Sequence, residues 1–272
     1  MALSGIGIAG CGRMGEPMLA ALLSHGFDAR GFDVRPASEF GEIAPHISND
    51  PVEFARGLRI LLTVVRDIPQ TDEVLFDQQR FLQTAPELET VVICSTLSPN
   101  YVRSLRARVP SNITLIDAPM SGARIAAEEE RLSFMLGGES AALEALQPLF
   151  AAMGRSFHHM GPFGSGMAAK VLNNLLAASN TVMTRLVLDW AQDQGVDETR
   201  LLELISKSSG QNWFASGFEA IEFARDGYTS ENTMGILKKD VESALDAAPQ
   251  NADTRLPELL TQLIETLEPK RP

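Results

Sequence analysis

The chain has 272 residues, 44% of them hydrophobic, which is enough to bury the core of one large domain or two ordinary ones. Its 23 basic and 35 acidic residues leave a formal net charge of −12. That balance excludes a broad nucleic-acid or anionic-membrane surface as the main partner, because both need clustered positive charge. The acidic excess reads as a solvated surface.

Two cysteines, Cys11 and Cys94, sit in or beside apolar runs without metal-ligand spacing. They are expected as buried free thiols in a reducing compartment, and no metal site is expected. The opening "MALSGIGIAGCGRMG" enters folded-domain sequence at once and lacks the basic start of a secretory leader. No apolar run is long and clean enough to span a bilayer. The expectation is a soluble, cytoplasmic protein.

In chain order, strands are expected at 5–9, 28–33, 59–65, 90–94, 114–118, 132–136 and 156–160. Helical patterns lie between several of them, at Met14–His25, Thr71–Phe76, Pro99–Val109 and Ala141–Met153. This alternation predicts an α/β architecture: a doubly wound, parallel, Rossmann-type sheet with helices on both faces. After "GPFGSG" (161–166) no strand is expected. Residues 167–194 read as one long helix, apolar almost all round and so buried on most sides. Helices follow at Glu198–Ser206, Phe214–Ala224, Met234–Ala247 and Pro257–Leu267, and the tail "EPKRP" is expected to fray. The domains are therefore 1–163, binding a dinucleotide, and 164–272, all-helical and serving substrate and dimerisation. A long apolar helix in so short a second domain needs another subunit, so a homodimer or higher even oligomer is expected.

"GIGIAGCGRMG" sets Gly10, Gly12 and Gly15 in G-x-G-x-x-G spacing between a strand and a helix. Gly10 permits the tight turn, Gly12 a close approach of backbone to pyrophosphate, and Gly15 close packing of helix on strand. The helix N-terminus offers unpaired N–H groups and a positive dipole end to the phosphates. Asp33 ends the second strand, 18 residues after Gly15. Its carboxylate suits a ribose 2′-hydroxyl and repels a 2′-phosphate, which favours NAD. Arg35 could reach a phosphate, which leaves NADP open.

At this point the chain resembles the β-hydroxyacid dehydrogenase family, that of the 3-hydroxyisobutyrate dehydrogenases and tartronate semialdehyde reductases. "GIAGCGRMGEPM", "CSTLSP" (94–99), "DAPMSGA" (117–123) and "GSGMAAKVLNN" (164–174) match its motifs in order, and "LKKD" (237–240) is a weaker fifth. The resemblance implies an NAD(P)-dependent oxidoreductase acting on a small carboxylate-bearing substrate. It makes Lys170 the catalytic acid/base and has Asn174 hold the substrate. Ser121 and Gly122, with Ala123 and Arg124 beside them, would bind the substrate carboxylate. Thr96 would contact the cofactor or line the pocket beside the nicotinamide, and Lys239 would close the site near both nicotinamide and substrate. Arg13 and Met14 in the first turn, Val34 beside Asp33, and Val65 and Arg66 after the third strand join the cofactor-binding set. The active site is expected in the interdomain cleft.

The chain departs from the family pattern in several places. Ala123 stands for the second glycine of S-G-G and Arg124 for the following valine. Glu130-Arg131 replaces a glycine-containing pair, Val65-Arg66 a Leu-Pro, and Asn232 an aromatic residue. Arg66, Arg124 and Asn232 are therefore candidates for altered specificity.

Physical chemistry supports the central assignment. An ammonium in an apolar helix is costly, so Lys170 needs a purpose there. Lys170 and Asn174 are four residues apart and share a helical face. Burial favours the neutral amine, a base, whereas an anionic substrate pushes the other way. The expected reaction is hydride transfer between a nicotinamide and a small 3-hydroxy acid or its semialdehyde. Two alternatives stand beside it. Imine reductases share the architecture but usually lack the catalytic lysine, and a non-catalytic NAD(P)-binding regulator would keep only the fold. The 6-phosphogluconate dehydrogenases share the NAD-binding domain but have a much larger C-terminal region.

Overall fold

The computed structural model describes residues 3–270; the last two residues of the tail expected to fray lie outside them. Contacts divide the chain into a first unit running to Lys170 and a second from Val171.

The first unit is built on nine strands: β1 (Ile6–Ala9), β2 (Ala29–Phe32), β3 (Ile47–Ser48), β4 (Ile60–Thr63), β5 (Thr90–Ile93), β6 (Thr114–Asp117), β7 (Met120–Ser121), β8 (Leu132–Gly137) and β9 (Gly154–Gly161). They lie in the order β3-β2-β1-β4-β5-β6-β8-β7, with β9 paired to β8. The expected parallel sheet holds for β1 to β6. It then reverses: β8 runs antiparallel to β6 and β7, and β9 parallel to β8. Neighbouring strand residues serve opposite faces, as the pleat requires. Leu62, Val92 and Ile116 enter one buried cluster, while Leu61, Val91 and Leu115 enter the other.

Helices cover both faces: α1 (Gly15–Ser24), α2 (Pro51–Ala55), α3 (Ile68–Leu75), α4 (Phe81–Thr84), α5 (Pro99–Arg108), α6 (Ala123–Glu128) and α7 (Ser140–Met153), with a 3-10 segment at Ala37–His46. Three of them begin alike. Asp50, Asp67 and Ser98 accept backbone N–H groups of α2, α3 and α5, and each of these helices has a proline in its first turn. That chemistry explains why α3 starts at Ile68 rather than at the expected Thr71. The short α2, α4, α6, β3 and β7 fall outside the expected elements, being too brief to show a period, and so does the 3-10 segment, whose backbone is broken at Phe40 and Gly41.

Next in sequence come α8 (Ser165–Asp193), which begins in the first unit and runs on into the second, α9 (Glu198–Ser206), α10 (Trp213–Ser216), α11 (Thr233–Asp246) and α12 (Arg255–Glu265). Two small cores form here. Ala178 and Val182 of α8 pack with α11 and α12, and Leu188 packs with α9, α10 and the segment after it. The helix expected over Phe214–Ala224 is corrected to the single turn of α10 followed by turns. Phe214, Phe218 and Ala224 still share one cluster, so the apolar spacing reports burial without a continuous helix. The expectation that α8 is buried on most sides also fails within the chain. Leu172, Leu176, Met183 and Trp190 are exposed. Among the described residues no helix is long and apolar enough to cross a membrane.

Candidate active site

The glycine turn follows β1. Gly10 has φ +93°, and a Cβ there would lie 2.7 Å from the Val64 oxygen and 2.9 Å from Val65 Cγ1, so the turn closes against the end of β4. A Cβ on Gly15 would lie 2.0 Å from the Gly10 oxygen, and only glycine lets α1 start this close to the turn. Gly12 is different. A Cβ there would meet no protein atom within 4 Å, and its φ is not in the left-handed range. Neither packing nor backbone geometry asks for glycine at this position. The space it keeps open, before the N-terminus of α1, fits a pyrophosphate approached by backbone N–H groups. Arg13 is exposed and Met14 half-buried beside it.

Asp33 stands directly after β2, buried, and it organises this turn. Its Oδ2 accepts the Cys11 N–H at 2.9 Å, and its Oδ1 accepts the Arg35 N–H at 3.1 Å. Arg35 Nε donates to Oδ1 at 3.0 Å, and another guanidinium nitrogen reaches Oδ2 at 3.2 Å and the Cys11 oxygen at 3.0 Å. The hydrogen bond to Asp33 raises the Arg35 pKa further, and its guanidinium lies 4.5 Å from the Phe40 ring centroid. Four donors thus occupy a carboxylate with about four acceptor positions. For Asp33 to receive a ribose hydroxyl, Arg35 must give up part of its grip. Burial, helped by Asp33, pushes the Cys11 thiol up to about 12, and burial likewise raises Cys94, so both are inert free thiols. Val34 is exposed, as is Arg66, whose backbone N–H donates to Gln70 Oε1 at 3.0 Å. Thr96 is half-buried in the turn after β5.

The start of α8 is fixed by a residue absent from the expected site. Asp117, fully buried at the end of β6, accepts the Gly164 N–H at 2.6 Å and the Met167 N–H at 2.5 Å. Burial pushes its carboxyl above the usual range, and these two N–H groups pull it back down. Gly137, its register partner on β8, leaves room for it: a Cβ there would lie 2.1 Å from Asp117 Oδ1. The Leu97 N–H also meets Met167 Sδ at 3.3 Å. The first turn of α8 is therefore tied to the ends of β5 and β6. Lys170 comes in the second turn, buried at 7% exposure.

Ser121 closes β7, and Gly122 follows with φ +137°. Ala123, in place of the family glycine, keeps a left-handed backbone at φ +54°, and so does Glu130 at φ +54°. Both departures retain the geometry that a glycine would hold more easily. Glu130 is gripped by Ser24 and His25 of the α1 end. Arg124 is turned to carboxylates, Glu128 at 2.6 Å and Glu16 at 3.4 Å. Its charge is met there, so it is a poor partner for a substrate anion.

In the second unit, Asn174 is buried and donates through Nδ2 to Asp240 Oδ2 at 2.6 Å, while its Oδ1 accepts from Asn173 at 3.2 Å. That pairing fixes which end of the amide faces which way. Lys239 Nζ lies 3.3 Å from Asp240 Oδ1. Asp240 thus joins two of the expected site residues. Asn232, a specificity candidate, is instead the cap of α11, accepting the Met234 and Gly235 N–H groups. Arg185 is a second buried cation on α8; it donates to the carbonyls of Ala224 and Asp226, each at 2.9 Å, and to that of Glu268. Burial lowers its pKa. The signal that singled out Lys170, a cation in an otherwise apolar stretch of helix, applies equally to Arg185. Asp117 and Asp240 had only their place inside quoted motifs.

Comparison with known proteins settles the lineage. Residues 5–161 match the model of the NAD binding domain of 6-phosphogluconate dehydrogenase. Residues 164–271 match that described as NAD-binding of NADP-dependent 3-hydroxyisobutyrate dehydrogenase. The NAD-dependent L-serine dehydrogenase of Pseudomonas aeruginosa is 30% identical over 92% of this chain and 87% of its own. The chain belongs to the β-hydroxyacid dehydrogenase family. It is a nicotinamide-dependent oxidoreductase. The mitochondrial 3-hydroxyisobutyrate dehydrogenase of Rattus norvegicus is 28% identical over 94% of this chain and 78% of its own. A Mycobacterium tuberculosis 3-hydroxyisobutyrate dehydrogenase structure with L-serine shares the fold, with TM-score 0.80 and 24% identity over 97% of this chain and 93% of that one.

Proposed function

We propose that this dehydrogenase oxidises small 3-hydroxy acids, and reduces the matching semialdehydes, with Lys170 as the proton-transferring residue. A bound nicotinamide supplies the hydride acceptor or donor. Lys170 Nζ takes the hydroxyl proton during oxidation and returns it to the carbonyl oxygen during reduction, where negative charge grows. The observation that carries this reading is a buried ammonium in the second turn of a helix whose first turn is fixed by Asp117. Such a group is too costly to keep idle.

Asn174 gives one amide N–H to Asp240 and has a second with which to orient a substrate oxygen. Ser121 and the backbone at Gly122 receive the carboxylate, and Lys239 adds a cation. NAD is the preferred cofactor because Asp33 stands after β2; Arg35 makes NADP the secondary one. The relatives' named substrates, L-serine, 3-hydroxyisobutyrate and 2-(hydroxymethyl)glutarate, all carry a primary alcohol one carbon away from the carboxylate-bearing carbon. A substrate of that class fits this reading, as do a cytoplasmic location and a homodimer or higher even oligomer.

The test is to supply NAD or NADP with these three acids and follow the absorbance of reduced cofactor. Turnover is expected, and Lys170→Ala should lower kcat by about 10²–10⁴ while NAD binding persists. Retained turnover in Lys170→Ala overturns the assignment. Tight NAD binding with no turnover on the panel favours a regulator.

A further inference from the structure

Three segments that the reading above assigns to the reaction meet at the first turn of α8. Asp117, at the end of β6, stands four residues before Ser121. Leu97, whose N–H meets Met167 Sδ, stands next to Thr96. Lys170 follows Met167 by three residues and so lies on the same side of the helix. The carboxylate holder, the nicotinamide contact and the proton carrier are all referred to one helical turn.

The residue before α8, Gly164, has no side chain with which to cap the helix, and a Cβ there would lie 2.7 Å from Arg103 Cγ. Asp117 supplies the acceptor from β6 instead. Its Oδ2 takes the N–H of Met167, third residue of α8 and one of the donors that a helix leaves unpaired. Its Oδ1 takes the N–H of Gly164. A carboxylate at this end also meets the positive end of the helix dipole. The seat is tight. A Cβ on Gly166 would lie 2.2 Å from the Met135 oxygen and 3.0 Å from Asp117 Oδ2, and one on Gly137 would lie 2.1 Å from Asp117 Oδ1. Glycines on β8 and on α8 leave room for the carboxylate between them.

We infer that Asp117 is a positioning residue for the reaction: its carboxylate, capping α8 from β6, fixes where Lys170 stands relative to Thr96 and Ser121. The inference rests on Lys170 as the proton-transferring residue. Proton and hydride transfer need one shared geometry, and a displacement of about 1 Å can cost on the order of 10²-fold in rate. The glycine turn that takes the cofactor phosphates closes against β4 and α1, not against α8. Loss of the Asp117 cap should therefore appear in kcat and spare NAD affinity.

Asp117→Asn tests this. The amide still accepts one N–H but turns its own donors toward the other, so one tie is lost at little change of volume. On the acid of the panel above that the wild type turns over best, kcat should fall about 10–100-fold, with KM and the NAD dissociation constant within about twofold. Gly137→Ala is a second variant, which keeps the charge but drives a methyl against Asp117 Oδ1, and the same split is expected. In a Lys170→Ala background neither change should lower the residual turnover further, because a residue that acts through Lys170 has nothing left to place. An unchanged kcat in Asp117→Asn with a native far-UV spectrum overturns the inference, and so does a KM or NAD affinity that worsens as much as kcat. A full additional loss in the Lys170→Ala background does the same; each of these results leaves the assignment of Lys170 standing. Turnover retained in Lys170→Ala, or a wild type that turns over none of the acids, overturns the catalytic reading together with this one. If neither variant folds, Asp117 serves stability alone and the positioning role is overturned.

Discussion

The two units solve burial differently. Among the described residues, four of the large exposed hydrophobics fall in the first unit and twelve in the smaller second one. The sheet has a substantial cluster on each face, whereas the second unit has two small clusters. The first unit completes its core with its own residues and shapes its site by leaving atoms out, at Gly10, Gly12 and Gly15. The second is held by buried polar side chains, Arg185 and the Asn174–Asp240 pair, and leaves many apolar side chains exposed. Adding atoms should therefore injure the first unit, and deleting polar groups the second.

The largest stability effect is expected at Arg185. Arg185→Met leaves three carbonyls without their donor, at a cost of about 3 kcal/mol. Both tryptophans, Trp190 and Trp213, lie in the second unit, so the denaturant midpoint read by fluorescence should fall. An unchanged midpoint would erase the contrast between the units. Gly15→Ala comes next: its Cβ meets backbone, and the first unit should lose about 2 kcal/mol, read as a drop in Tm. Gly12→Ala sharpens the point, because its Cβ meets nothing. Its Tm should stay put while NAD titration shows affinity weaker by about tenfold, or ~1.4 kcal/mol.

A smaller effect of opposite sign is expected at Ala123. At φ +54°, Ala123→Gly should relieve strain and raise the stability of the first unit by about 0.5–1 kcal/mol in urea unfolding. The smallest concerns Glu130, whose carboxyl the His25 hydrogen bond holds below the usual range. A lowered folded pKa gives stability that is present above the unfolded value near 4.5 and is lost as pH falls through the folded one. The pair is partly exposed, so the contribution is a few tenths of a kcal/mol. Wild type and Glu130→Gln should converge in urea midpoint as pH drops below that window.

Much of the first unit was legible because its signals are local. Strand runs and the glycine spacing are each written within a few residues. Asp117 was not legible as an anchor, since its partners come from β8 and from a turn nearly fifty residues on. Asp240 needed the packing of α11 on α8 before its bond to Asn174 could be seen. The turns after α10 mimic a helix because Phe214 and Phe218 must reach one cluster whatever the backbone does. Leu172, Leu176, Met183 and Trp190 are exposed within the chain because apolar character says that a residue seeks cover, not where in the chain that cover lies.

Gly12 carries one further consequence. Its single hydrogen answers to no neighbour inside the protein, so selection for solubility, expression or heat resistance would pass a methyl there unnoticed. Libraries of this sequence sorted only for intact molecules will keep variants that are well formed and yet hold their coenzyme less tightly.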